Sequence, residues 1–361
     1  MNAFGDITII SFLVLYLGIY YGTSAIEDFT CVTKPRIDID NEDTYIAGYL
    51  LGSNGSVSFA RTTYTRTGSD TPPLRLHVPT GYTLRTLETT QENETISILG
   101  LPAAGRKTRI GTFACKVTRF GGNEFSIGTT IMSKAADFLP NPPTRTVIKG
   151  DDVRLEVTAT DPSRTRARWR KNGTDTLPAW KDLLYLNISG ASQSQAAYYE
   201  IHFAGDRASG KQALMRLIVI DCQEYKWNAP SCDRDCPVCF NGGICEVASG
   251  VCICSPGFSG DFCEILLGPD RFGQDGSFHC NFDDELPSTA CEGKLFCLPD
   301  PFGCTCAAGY QGIDCDTDCP DGSFGAGCSQ TCHCMDGACD RTTGRCPGNC
   351  TTGFKGINCQ G

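Results

Sequence analysis

Residues 252–263, CICSPGFSGDFC, and residues 304–315, CTCAAGYQGIDC, share one phrase: Cys-x-Cys-x-x-Gly-aromatic-x-Gly-x-x-Cys. Residues 346–359, CPGNCTTGFKGINC, repeat it with three residues instead of one between the first two cysteines. Around these phrases, Cys222 to Cys359 holds 22 of the chain's 24 cysteines in 138 residues, about twice the density that marks a disulfide scaffold. Apolar residues there are too sparse and too interrupted by glycine to bury a core of ordinary size. Covalent cross-links must supply what packing cannot.

The spacing has a physical reason. Residues i and i+2 of a strand share a face, so the cysteines of Cys-x-Cys reach out to different partners. The glycines permit the turns, and the rings of Phe258, Tyr310 and Phe354 are placed to shield sulfur. The first repeat carries Cys222, Cys232, Cys236, Cys239, Cys245, Cys252, Cys254 and Cys263; the third carries Cys319, Cys328, Cys332, Cys334, Cys339, Cys346, Cys350 and Cys359. The second has six: Cys280, Cys291, Cys297, Cys304, Cys306 and Cys315. These endings resemble EGF-like modules, in the laminin-type eight-cysteine form in repeats one and three.

An even cysteine count fits full pairing in an oxidising compartment. Residues 26–221 carry 24 Lys+Arg against 21 Asp+Glu, whereas residues 222–361 carry 7 against 19. So acidic a portion argues against nucleic acid and against an anionic membrane surface as partner. Ile7 to Tyr21 is an apolar run of signal-peptide length, followed by Gly22-Thr-Ser-Ala25, with Thr23 and Ala25 placed for cleavage after Ala25. No Lys or Arg precedes it, and Asp6 stands there instead. With no second run of spanning length, the expectation is a secreted chain. Sequons at Asn54, Asn93, Asn172, Asn187 and Asn349 are expected to carry glycans.

From Ile26 to Asp221 the texture is β. Runs such as Thr112-Phe-Ala-Cys-Lys-Val, Val153-Arg-Leu-Glu-Val and Leu214-Met-Arg-Leu-Ile-Val are separated by Gly, Pro, Asn and Asp, without a helical period. Cys31 and Cys115 are the only cysteines here, and Phe113 precedes the second by two. That pattern resembles an immunoglobulin-like sandwich with its inter-sheet bond. No Trp lies between the cysteines, and so few residues precede Cys31 that the first strand is expected to be truncated unless cleavage falls elsewhere. A boundary follows at Phe138-Leu-Pro-Asn-Pro-Pro143.

Residues 144–221 lack cysteine yet keep the sandwich grammar. Val153, Leu155 and Val157 face inward on one strand, Trp169 takes the core position of the third strand, and Tyr199 precedes Ile201 as a corner tyrosine precedes the second cysteine. Leu155 and Ile201 stand where a disulfide would. Burying each contributes about 1.5–3 kcal/mol, comparable to about 2–4 kcal/mol for the bond. In Arg164-Thr-Arg166-Ala-Arg168-Trp-Arg170-Lys171, strand alternation puts all four arginines on one face. A solvated outer face is the plain reading. The alternative is a site for an acidic partner or a sulfated glycan, because unpaired like charge costs stability without a structural return.

Rival readings of the sulfur are a redox pair at Cys236 and Cys239, or zinc at Cys332-His-Cys334, and neither has the required setting. His77, His202 and His279 fall in separate contexts, and no nucleophile, base and orienter come together. No enzyme, cofactor or metal site is expected.

Two immunoglobulin-like units followed by three EGF-like repeats resemble the start of the Tie receptors, the tyrosine-kinase receptors for angiopoietins. The wording also matches: Phe296-Cys-Leu-Pro-Asp-Pro-Phe-Gly-Cys-Thr-Cys306, Arg216-Leu-Ile-Val219, Lys226-Trp227, Phe138-Leu-Pro140, Lys149-Gly-Asp151 and Lys171-Asn-Gly-Thr174 are similar to that family's phrases. The resemblance implies an all-β, multidomain chain. Its expected division is 1–25 signal peptide, 26–136 and 137–221 immunoglobulin-like, then 222–263, 264–315 and 316–361 EGF-like.

Eight cysteines allow 105 connectivities, and the resemblance selects one. It implies Cys31 with Cys115; then Cys222 with Cys232, Cys236 with Cys245, Cys239 with Cys252, Cys254 with Cys263; Cys280 with Cys291, Cys297 with Cys304, Cys306 with Cys315; and Cys319 with Cys328, Cys332 with Cys339, Cys334 with Cys346, Cys350 with Cys359. In that family the angiopoietin contacts centre on the second immunoglobulin-like unit, including the loop after Lys-Asn-Gly. Here that loop, Asp175 to Lys181, is shorter, and Asp175 stands where the family has an aromatic anchor, with Trp180 the candidate replacement.

The expectation is therefore an extracellular protein-binding head for an angiopoietin-like ligand, with Arg164, Arg166, Arg168, Arg170, Lys171 and Trp180 as candidate contacts and the repeats as a spacer. The family's fibronectin-type domains, membrane span and kinase have no counterpart in this sequence, so a soluble form or an incomplete chain of a cell-surface receptor is expected. The alternative is a secreted or matrix adhesion protein of scavenger type, whose acidic repeats bind the ligand.

Overall fold

The computed structural model describes residues 29–51, 55–61, 83–89, 94–119, 124–175, 180–273, 275–280 and 290–361, with 83–89 and 175 as backbone. The leader with its Ile7–Tyr21 run, and the sequons at Asn54 and Asn93, lie outside the described residues.

Alternating apolar residues build a first sandwich from β1 (Phe29–Thr33), β2 (Arg36–Ile37), β3 (Thr44–Leu51), β4 (Gly55–Arg61), β5 (Thr83–Thr89), β6 (Glu94–Leu101), β7 (Gly111–Arg119) and β8 (Glu124–Ser133). One sheet runs β1-β3-β6-β5 and the other β2-β8-β7-β4. Pro35, lacking an N–H, breaks the first strand in two. Its first half pairs antiparallel with β3, and its second crosses to pair parallel with β8, Arg36 opposite Met132. Cys31 sits on this first described strand, and the residues before Phe29, on which the expected truncation bears, lie outside the described residues.

Gly48 of β3 lies opposite Cys31. A Cβ there would come within 2.6 Å of Val57 Cγ1. Cys31 bonds Cys115 on β7 across the core, with Cα atoms 6.0 Å apart. Phe59, directly opposite Cys115 and buried, stands where such sandwiches place tryptophan. The turn before β7 carries Arg109, whose side chain is fully buried. Its guanidinium donates to the carbonyls of Ile39 (2.8 Å), Arg106 (3.3 Å), Asp38 and Leu101 (both 3.4 Å), and Glu42.

The second sandwich comprises β9 (Phe138–Pro140), β10 (Thr144–Ile148), β11 (Val153–Ala159), β12 (Ala167–Lys171), β13 (Thr174–Asp175), β14 (Tyr185–Ile188), β15 (Ala197–Phe203) and β16 (Ala213–Ile220). Its sheets are β9-β11-β14 and β10-β16-β15-β12-β13, with β10 parallel to β16. Asn141 to Pro143 carries the chain from one sheet to the other. Val153, Leu155 and Val157 are buried and alternate with exposed neighbours. Trp169 donates its indole N–H to Leu183 O at 2.9 Å, and the Tyr199 hydroxyl donates to Gln195 O at 2.9 Å. Leu155 and Ile201 are fully buried in that cysteine-free core.

All 24 cysteines are bonded in the twelve pairs that the resemblance implies. The second repeat departs from the expected spacer. Its hairpin, Leu295–Leu298 and Gly303–Cys306, adds two strands to the first sandwich beyond β1, Val32 opposite Phe296 and Thr33 opposite Leu295. Leu295 and Cys297 join the sandwich core, while Phe296 faces the other way. There Tyr49, Phe272, Phe278 and Phe296 pack together, with Tyr49 and Phe272 edge to face at 4.8 Å between centroids. Both faces of the β1-β3-β6 sheet are thus buried.

The same hairpin touches the second sandwich: Thr146 Oγ1 donates to Pro301 O at 2.8 Å, and Arg216 pairs with Asp300 at 2.8 Å. The third repeat folds back on the first, where Asn358 Nδ2 donates to Asn241 Oδ1 at 2.5 Å with both residues buried. Repeat two joins both sandwiches.

Candidate ligand-recognition surface

The arginine run does not form one strand face. The strand begins only at Ala167, because Arg166 has a left-handed backbone, φ 74°, which strand geometry excludes. Arg164 and Arg166 precede it, so the expectation of four arginines on a single face is corrected to two, Arg168 and Arg170. Opposite these stand His202 and Glu200 of β15.

Nor is the charge unpaired. Arg164 binds Asp137 at 3.0 Å and also Asp206, lies 3.9 Å over the Phe203 ring, and has its pKa raised chiefly by the hydrogen bond to Asp206. Arg168 bonds Asp182 at 2.6 Å and Ala167 O at 2.7 Å. Arg170 donates to Gly173 O at 2.9 Å, and Lys171 to Ser194 O. Each contact supplies the structural return whose absence argued for a ligand. Arg166 is left exposed at the start of the strand.

Residues 180–184 lie beside it. Asp182 N donates to Ala167 O at 3.0 Å, holding this segment against the first residue of β12. Trp180 is half-buried against the second core, and Leu184 is exposed. The fold therefore brings Arg166, Arg168 and Trp180 to one end of the sandwich. Arg170 and Lys171 sit at the other end of β12, by the exposed Asn172, and Arg164 is held against the turn at Asp206. Of the expected loop, residues 176–179 lie outside the described residues. Asn187 and Asn349 are exposed. Cys236, Cys239, Cys332 and Cys334 are all in disulfides, and the His333 ring stacks on Phe354 at 3.7 Å, which leaves no thiolate for redox or zinc chemistry.

No family model matches the chain. Among curated proteins, the Angiopoietin-1 receptor of Danio rerio is 35% identical over 205 residues, covering 55% of this chain and 18% of that protein. The stretch from Cys222 to Gly361 has 140 residues, so that likeness reaches into the sandwiches. By sequence the chain is similar to the Tie-family receptors. Scavenger receptor class F member 2 of Homo sapiens is 36% identical over 83 residues, 21% of this Tie-like chain and 9% of that protein. The tandem Ig repeats of Dlar, a solved structure, align at 18% identity and a TM-score of 0.20, over 49% of this chain and 89% of that one.

The Tie-like chain spans less than a fifth of the length of these curated relatives. It has the build of an extracellular receptor-type head, immunoglobulin-like units followed by EGF-like units each stapled by its own disulfides. No helix among the described residues is long and apolar enough to cross a membrane.

Proposed function

We propose that this chain is the recognition head of a Tie-like receptor and holds an angiopoietin-like protein through its second sandwich. The observation that carries the reading is the likeness to the Angiopoietin-1 receptor, which extends beyond the cysteine repeats. The end of the second sandwich supports it. Arg166 supplies a solvent-facing cation, and Trp180 and Leu184 supply apolar area beside it, the mixture that protein-binding centres favour. The repeats act as a clamp, since the second one holds both sandwiches.

The test is binding of the whole chain to angiopoietin-1 by surface plasmon resonance, with Arg166→Glu in the second sandwich and Asp336→Lys in the third repeat. Loss of affinity with Arg166→Glu alone supports the reading. Loss with Asp336→Lys alone favours the adhesion alternative, in which the acidic repeats bind. Both are point changes, because deleting residues 222–361 would strip two strands from the first sandwich. Glycan chains at Asn172, Asn187 and Asn349, each exposed, belong to the same proposal and would appear as mass lost on enzymatic deglycosylation.

A further inference from the structure

The third repeat ends with Cys346-Pro-Gly-Asn-Cys350, three residues standing where the other repeats have one. The chain bends at Pro347 and Gly348, and two disulfides come together there. Cys334 is bonded to Cys346, and Cys350 to Cys359. Cys346 Sγ lies 3.1 Å from Cys359 Sγ, a sulfur of the other bond. Their two partners also meet, since Cys334 and Cys350 stand opposite each other in an antiparallel bridge. Residues directly opposite in such a pair have Cα atoms about 4.5–5.5 Å apart, within the span of about 4.4–6.8 Å that a disulfide bridges. Four sulfurs thus admit two complete pairings: the one present, and Cys334 with Cys350 beside Cys346 with Cys359.

The cluster is open to solvent through one member of each bond. Cys334 and Cys359 are buried, whereas Cys346 and Cys350 are partly exposed. The resting chain has no free thiol, so any exchange needs a thiolate from outside.

We propose that this cluster is a thiol–disulfide exchange site that passes between the two pairings. A small external thiolate attacks Cys350 Sγ, forming a mixed disulfide and releasing Cys359 as thiolate. Cys359 attacks Cys346 Sγ across the 3.1 Å gap, and Cys334 leaves as thiolate. Cys334 then attacks Cys350 Sγ across the bridge, and the external thiolate leaves. Two bonds within the chain break and two form, the thiol is regenerated, and neither oxidant nor reductant is consumed. Asn358, which donates to Asn241 of the first repeat, precedes Cys359, so the exchange takes place at the joint between repeats one and three.

The test is incubation of the whole chain with reduced glutathione at mildly alkaline pH, then acid quench, trypsin and electron-transfer fragmentation. Trypsin cuts out residues 346–355 and 356–361, and a backbone break between Cys346 and Cys350 shows which of the two carries 356–361. The expected result is transfer of 356–361 from Cys350 to Cys346 in at least about a tenth of the chains, with no gain of free thiol and with pairing in repeats one and two unchanged. The proposal is overturned if 356–361 stays on Cys350, if the third repeat only gains free thiols, or if all three repeats scramble alike. Cys334→Ser combined with Cys350→Ser gives a second measurement, because it leaves Cys346 and Cys359 without their present partners. That variant should show a Cys346–Cys359 bond and no free thiol; two free thiols per chain would overturn the proposal.

Discussion

Cys297 of the second repeat stands directly opposite Cys31 of the first sandwich in an antiparallel ladder, and each is bonded to a different cysteine, Cys304 and Cys115. Two disulfide-bearing units thus share one sheet without sharing a disulfide. Strand pairing, apolar burial and the ion pair of Arg36 with Asp314 hold them together. The stability of the first sandwich therefore belongs partly to residues more than two hundred positions away.

Phe296 tests that dependence. It is fully buried on the outer face of β1-β3-β6, against Phe272 at 5.0 Å between centroids. Phe296→Ala should cost about 3–5 kcal/mol, and the loss should appear in the unfolding of the first sandwich as well as the repeat. Denaturant unfolding followed by hydrogen exchange at β1 and β3 reads both; protection unchanged there would separate the two units.

Arg109 is the second case. Five backbone carbonyls lose a donor in Arg109→Met, including those of Ile39 and Leu101. With one or two left dry, at about 1–3 kcal/mol each, the midpoint-derived free energy should fall by a few kcal/mol. Arg109→Lys should fall between, because an ammonium cannot reproduce the planar fork.

Much of this was legible in the sequence where signals are local. The cysteine phrases, the alternation of Val153, Leu155 and Val157, and the Trp169 and Tyr199 positions each depend on neighbours a few residues away. The register of Cys31 against Cys297 depends on none. Its one local trace is Thr44 to Leu51, TYIAGYLL, whose apolar residues continue where alternation is expected, as in a strand buried on both faces. The arginine run misleads because spacing of two reads as strand, while the left-handed Arg166 ends the strand early. Arg109 gave no signal at all, since a buried arginine bound to carbonyls has no partner residue type to search for.

Lys294 makes stability depend on pH. It is buried, donates to Cys280 O at 3.1 Å, and desolvation pulls its pKa down to about 8, partly opposed by Asp270. An unfolded lysine titrates near 10.4. Between these values the unfolded chain binds more protons, so stability should rise with pH from about 8 toward 10, by about 3 kcal/mol at most. Above 10 the effect reverses, because buried Tyr45 and Tyr199, both raised, hold their protons in the folded state. Denaturant midpoints from pH 7.5 to 9.5 should climb for the natural chain and stay flat for Lys294→Met.

Gly128 of β8 and Tyr198 of β15 meet where the two sandwiches touch. A Cβ at Gly128 would lie 1.8 Å from the Tyr198 hydroxyl. Gly128→Ala should shift the distance between spin labels on the two sandwiches while leaving each core intact. Tyr198→Phe alone should be neutral or slightly stabilising, since it removes an unsatisfied buried hydroxyl, and combined with Gly128→Ala it should restore part of the distance.

Hydrogen exchange of the whole chain with and without angiopoietin-1 locates the ligand without altering any residue. The recognition-head account predicts added protection at residues 166–171 and 180–184 of the second sandwich, with the three repeats unchanged. Protection confined to residues 222–361 would contradict it and would make the cysteine repeats the binding surface.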